Sequence, residues 1–232
     1  KLDDLSFRLK GFDEPFSGVG GTVSLKGDNI TVENVSARYG KSVLKSADAT
    51  LRGITGNTAY GISAEGTLDA GAGLSLARDI TGGKYPAWAK RLSRTEASGF
   101  IKLSIDALGS LKDKTPKRYA GSIFIEDATF RYEGLPVSIE SLSADAVFNE
   151  KQVEIKGLRA SDGRSFIVMN GQATGYAGPD PSFALAAEAR LDSSTIAAMA
   201  KETAVADGLY TDGSASIKLT AEGGKDSARI SL

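Results

Sequence analysis

Residues 30–42 read ITVENVSARYGKS, and residues 153–165 read VEIKGLRASDGRS. The two strings align without a gap at an offset of 123, placing Val32 on Ile155, Val35 on Leu158, Ala37 on Ala160, Gly40 on Gly163 and Ser42 on Ser165. Each is a run of apolar residues at period two, a one-residue shift in that alternation, a glycine turn and a second run. Period two belongs to a strand with one apolar and one wet face. A strand–turn–strand unit that recurs in one chain points to a sheet lengthened by repetition. The shift between Val32 and Val35 recurs between Ile155 and Leu158. A β-bulge at Asn34 and at Gly157 restores the face and adds bend, and matched bulges curl a sheet.

The same alternation runs outward from these copies. Tyr60, Ile62, Ala64 and Leu68 share a face, as do Ile101, Leu103 and Ile105, then Phe183, Leu185, Ala187, Ala189 and Leu191, then Ala215, Ile217, Leu219 and Ala221. One apolar and one polar face per strand is the antiparallel pattern. Residues 121–132 depart from it, because Ile123, Phe124 and Ile125 are consecutive, which reads as a strand covered on both sides. Gly27, Gly40, Gly53, Gly134 and Gly163 mark turns, and Asp162-Gly163 is a tight-hairpin signal. Residues 86–92 and 193–203 read as short helices, the second capped by Asp192, Ser193 or Ser194. A further short turn is expected at 74–80, and 108–118 reads as a loop. The reading is one repeat-built β domain over 1–232, with repeats at about 18–56 and 141–175 and an insertion at 74–118.

Composition narrows function. The 232 residues carry 28 basic and 29 acidic side chains, a net charge of −1, so no basic excess is present to hold a phosphate backbone and nucleic acid is excluded as a partner. His and Cys are both absent. The usual general base, the usual transition-metal ligands and every thiol nucleophile are therefore missing. No apolar run reaches the 18 residues or so that span a bilayer. The chain begins and ends in strand-like sequence and is expected to be a section of a longer protein.

The remaining motifs carry little chemistry. Ser42-Val-Leu-Lys45 has the letters of a serine–lysine pair, but positions i and i+3 of a strand face opposite sides. Gly18-Val-Gly-Gly21 and Gly71-Ala-Gly73 lack the βαβ context of a dinucleotide site and read as loop or turn glycines. Asp3-Asp4, Asp13-Glu14 and Glu188 read as solvated carboxylates. Trp88, beside Lys84, Tyr85, Lys90 and Arg91, suits a helix packed over the sheet end, or a membrane-surface contact. No catalytic residue, metal ligand or cofactor site is assigned, and the chain is expected not to be an enzyme.

The strings GTVSLKGDNITVENVSARYGKSVLKSADATLRG (21–53), VEIKGLRASDGRSFIVMNGQATG (153–175) and ALAAEARLDSSTIAAMAKE (184–202) resemble repeats of the AsmA-like superfamily, which includes TamB and YhdP of the Gram-negative envelope. The resemblance implies an elongated, strongly twisted antiparallel sheet curled into a taco-shaped or U-shaped groove, with one or two short helices. It also implies a periplasmic protein that holds or conducts phospholipid acyl chains between inner and outer membranes. Such a protein has an inner-membrane anchor outside this segment and an outer-membrane protein as a further partner. On that reading the groove is lined by Ile30, Val32, Val43, Tyr60, Ile62, Ile101, Leu103, Ile105, Val153, Ile155, Phe183, Leu185, Ile217 and Leu219, taken from the alternation. The alternative is a closed β-sandwich serving as a structural or protein-interaction module of the envelope, with the same residues forming a sealed core.

Overall fold

A computed structural model describes residues 1–8, 14–75, 94–113, 116–133, 138–176, 180–202, 213–224 and 227–231, with the side chains of 199–202 left aside. Thirteen strands run in chain order: β1 (Leu2–Phe7), β2 (Phe16–Lys26), β3 (Asn29–Tyr39), β4 (Ser42–Arg52), β5 (Ala59–Asp69), β6 (Thr95–Ser110), β7 (Arg118–Tyr132), β8 (Ile139–Asn149), β9 (Gln152–Ser161), β10 (Phe166–Thr174), β11 (Ser182–Asp192), β12 (Ser214–Gly224) and β13 (Ala228–Ser231). Each pairs antiparallel with its chain neighbours in one open sheet, and β1 and β13 are its edges. Thirteen strands at about 4.8 Å spacing extend roughly 60 Å across the strands. A helical stretch over 70–75, α1, follows β5, and α2 (Ser193–Glu202) follows β11.

Cross-strand partners share a face, so the register sorts every paired residue. Ile30, Leu51, Tyr60 and Gly109 form one row, and Val32, Ala49, Ile62 and Ala107 form the next. Further along, Gly66, Leu103, Ile123 and Ala146 are aligned with Ile155, Gly171, Leu185 and Ala221. One apolar face thus runs unbroken from β2 to β12. Arg38, Arg52, Glu65, Lys102, Asp145, Arg159, Glu188 and Lys218 take the other face. There, cross-strand ion pairs join Lys45 to Glu65 at 2.9 Å, Lys102 to Glu126 at 3.6 Å and Arg229 to Glu222 at 3.6 Å.

No second layer covers the apolar face among the described residues. Among the described residues, Val19, Ala37, Ala70 and Ala128 are the buried hydrophobics, and no large side chain is fully enclosed. Ile62 is 43% exposed, Ile217 39% and Leu25 68%, values foreign to a sealed core. The chain exposes 15461 Å², where a compact monomer of 24.2 kDa exposes about 10,000 Å². The strands form one sheet rather than the two packed sheets of a sandwich.

Bulges fall where the alternation slips. Asn34 has φ 53° and the register shifts between Val32 and Val35; the extra residue of β9 lies at Lys156-Gly157. Asn tolerates the left-handed region better than most side chains, and its N–H, freed from the ladder, donates to Asp48 Oδ1 at 2.8 Å. Asp127 (φ 52°) makes a further bulge in β7, with its carboxylate accepting from Ser141 at 2.8 Å.

Several expectations are corrected. Gly18-Val-Gly-Gly21 lies within β2, with Gly18 at φ 59° in a bulge, and Gly71-Ala-Gly73 opens α1. Leu108–Ser110 belong to β6, so the connection to β7 is shorter than 108–118. Phe124 is not covered on both sides. It stands on the charged face, 40% exposed, with Lys102 Nζ 5.0 Å from its ring centre. Residues 86–92 with Trp88, Asp13 and Gly134 lie outside the described residues.

Candidate functional site

Over β1 to β6 the apolar face is hollowed. The hollow has a volume of about 470 Å³ and an almost wholly apolar lining, within the size range of small-molecule sites. Phe7 and Phe16 stack at 5.4 Å, and Phe16 meets Tyr39 at 5.2 Å, forming an aromatic wall across β1, β2 and β3. The floor comes from Val35 and Ala37 of β3, Leu44 of β4, Ala64 and Leu68 of β5, and Leu103 and Ile105 of β6. Small residues line it as well: Ala37 and Ala64 leave room above the sheet, and Gly66 lies so close to the backbone of Val43 and Leu44 that a Cβ would collide with it.

The hollow ends at α1. Ser42 follows the β3–β4 turn and is buried, and its Oγ accepts the Asp69 N–H at 3.0 Å. Asp69 in turn caps α1, its Oδ1 accepting the Ala72 N–H at 2.9 Å. This fixes the helix against the sheet with Ala72 in the lining. Ser42 thus serves as a corner post, while Lys45 pairs with Glu65 on the charged face. Among the described residues, no group of three or more His, Cys, Asp or Glu is placed to hold a metal ion.

Of the fourteen residues expected to line a groove, thirteen share the apolar face: Ile30, Val32, Tyr60, Ile62, Ile101, Leu103, Ile105, Val153, Ile155, Phe183, Leu185, Ile217 and Leu219. Val43 does not. The tight turn pairs Tyr39 with Ser42, which sets Val43 opposite Arg38 and Thr67 on the other face, although it also contributes to the hollow's lining. Leu103 and Ile105 lie in the hollow itself. Val35, Ala37, Ala64 and Leu68 join them from the same alternation, whereas Phe7, Phe16, Val19, Tyr39 and Leu44 were not anticipated. Bulges before Leu5, at Gly18 and beside Lys45 break the alternation of β1, β2 and β4 and hide their faces.

The structure also lengthens the repeat. β3, β4, β5 and α1 map onto β9, β10, β11 and α2 at the same offset, with Asn29 on Gln152 and Asp69 on Asp192. The signal is present as AEGTLD (64–69) and AEARLD (187–192). The second copy repeats the corner: Asp192 N–H donates to Ser165 Oγ at 2.9 Å, and Asp192 Oδ1 accepts the Ser194 N–H at 2.9 Å.

Fold and site together define an open, single-layer antiparallel β protein with one charged face, one apolar face and an apolar hollow. No protein-family model, no curated protein and no solved structure matches the chain.

Proposed function

We propose that this chain is a non-enzymatic, lipid-holding section of an AsmA-like envelope protein, seating phospholipid acyl chains on its apolar face between inner and outer membranes. The observation that carries the proposal is the apolar face, left uncovered by the described residues, continuous through β2–β12 and hollowed over β1–β6. Exposing apolar surface costs about 25 cal/mol per Å², so such a face calls for an apolar occupant. A 16-carbon acyl chain loses on the order of 12 kcal/mol on entering water, at about 0.8 kcal/mol per methylene, and an apolar track removes most of that barrier without a chemical step. The resemblance of the repeats to AsmA-like sequences supplies the periplasmic setting, an inner-membrane anchor elsewhere in the protein and an outer-membrane partner. No helix among the described residues is long and apolar enough to cross a membrane.

Purification from detergent-free lysate, followed by native mass spectrometry and lipid extraction, tests the proposal. Co-purifying phospholipid, or saturable binding of a fluorescent phospholipid, is expected. A folded, lipid-free chain that binds no such probe would sink it.

A further inference from the structure

The two modules build one corner with different chemistry. In the first, the residues around Ser42 are Tyr39 and Ala72, and they line the hollow. At the equivalent positions the second has Asp162 and Thr195, and both enter a hydrogen-bond chain. Asp192 N–H donates to Ser165 Oγ at 2.9 Å, Ser165 Oγ donates to Thr195 Oγ1 at 2.8 Å, and Thr195 Oγ1 donates to Asp162 Oδ2 at 2.7 Å. Asp162 Oδ1 also accepts the N–H groups of Ser165 at 2.6 Å and Arg164 at 3.0 Å. Ser165 and Thr195 are 5% and 4% exposed, so neither hydroxyl can readily exchange its partner for water. Each hydroxyl has one proton to give, and both are committed toward Asp162. The chain therefore has a direction, and it ends on an anion.

From this geometry we infer that the chain is a latch: it fastens α2 to the β9–β10 hairpin, and it releases the helix, with the sheet still folded, when Asp162 loses its charge. The first module lacks this latch, since Tyr39 and Ala72 occupy the positions of its anion and its middle hydroxyl. The charged groups facing Asp162 among the described side chains are Arg164 on the same turn, Asp192 at the end of β11 and Glu140 of β8, whose Oε2 approaches Gly163. Burial raises the pKa of Asp162, but the bonds from Ser165 N–H, the Thr195 hydroxyl and Arg164 N–H outweigh it and leave the carboxyl below its ordinary 3.8. A folded-state pKa below the unfolded one gives stability that is present above the unfolded value and lost as pH falls through the folded one. The latch therefore holds at neutral pH and weakens progressively as pH falls below the carboxyl's ordinary 3.8.

Amide hydrogen exchange on the intact chain tests this, with Asp162→Asn and Thr195→Val as variants. Asn keeps one oxygen for the backbone donors but replaces the other with a group that cannot accept from Thr195. Valine removes the middle hydroxyl at unchanged shape. In both variants the amides of 194–198 should exchange about tenfold faster, the loss of one hydrogen bond to a charged group, while β3–β5 and β10–β11 keep their protection. In the unsubstituted chain, acidification from pH 6 to pH 3, corrected for intrinsic exchange, should speed the same amides and leave the sheet alone; Asp162→Asn should shrink that response to the part contributed by Asp192, whose Oδ1 accepts the Ser194 N–H, and an undiminished response overturns the inference. Unchanged protection of 194–198 in Thr195→Val overturns the inference, and so does loss of protection spread evenly over the sheet. Thr195→Val leaves the turn intact and decides the matter if Asp162→Asn does not fold.

Discussion

Leu103→Asp places a carboxylate in the floor of the hollow, and an open face and a sealed core predict different consequences. Leu103 stands between Gly66 and Ile123 and is only half-buried. On an open face the new carboxylate keeps much of its water. The cost is then the lost cross-strand packing and strand preference, about 1–2 kcal/mol. In a sealed core an unpaired carboxylate would cost several kcal/mol more and unfold a domain of ordinary stability. Ligand binding responds in the opposite sense. An acyl chain crossing the floor would lose contact with about three methylenes' worth of wall at about 0.8 kcal/mol each, which is roughly 50-fold in affinity. Denaturant unfolding and titration with a fluorescent fatty acid measure the two quantities on one sample. Ser104→Asp is the control, because Ser104 points to the charged face, where it bonds Ser122 at 2.9 Å; it should leave binding unchanged. Unfolding of Leu103→Asp would show a sealed core, and equal loss of binding in both variants would show that the hollow is not where the chain sits.

Three further outcomes follow from named contacts. Asn34→Val forces a β-branched residue to hold φ 53° and should lower unfolding free energy by about 1–3 kcal/mol in urea, whereas Asn34→Gly should change it by less than about 1 kcal/mol. Gly121→Ala puts a Cβ against the Ser104 carbonyl oxygen and the Phe148 ring and should cost about 1–3 kcal/mol by thermal or chemical denaturation. Glu65→Gln breaks the 2.9 Å contact with Lys45 on the exposed charged face and should shift stability by less than about 1 kcal/mol, with the difference shrinking further in high salt.

The sequence showed those parts of the molecule in which strands alternate without interruption. β5, β6, β11 and β12 pair residue for residue along their shared lengths, so counting by two assigned Ile62, Leu103, Leu185 and Leu219 correctly. The bulges at Asn34 and Gly157 were visible because an apolar residue lies on each side of the slip. The wall of the hollow was harder to see. In β2 the bulge at Gly18 separates Phe16 from Val19, and the glycines look like a loop. Val43 contributes to the hollow's lining yet pairs with residues of the charged face, because the face of a residue after a turn is set by the turn's pairing, here Tyr39 with Ser42, and not by its hydrophobicity. The corner formed by Ser42 and Asp69 joins residues 27 positions apart, and only the second copy, Ser165 with Asp192, reveals it as a repeated device.

If acyl chains bind the apolar face and not the charged one, only methyl groups of the apolar face come close to them. The most direct measurement is a methyl NMR titration with a spin-labelled fatty acid. Saturable broadening of Leu68, Leu103 and Ile105 is expected, with Leu108 and Val168 of the opposite face unaffected. Broadening of both faces alike, or of neither, would contradict binding to the apolar face.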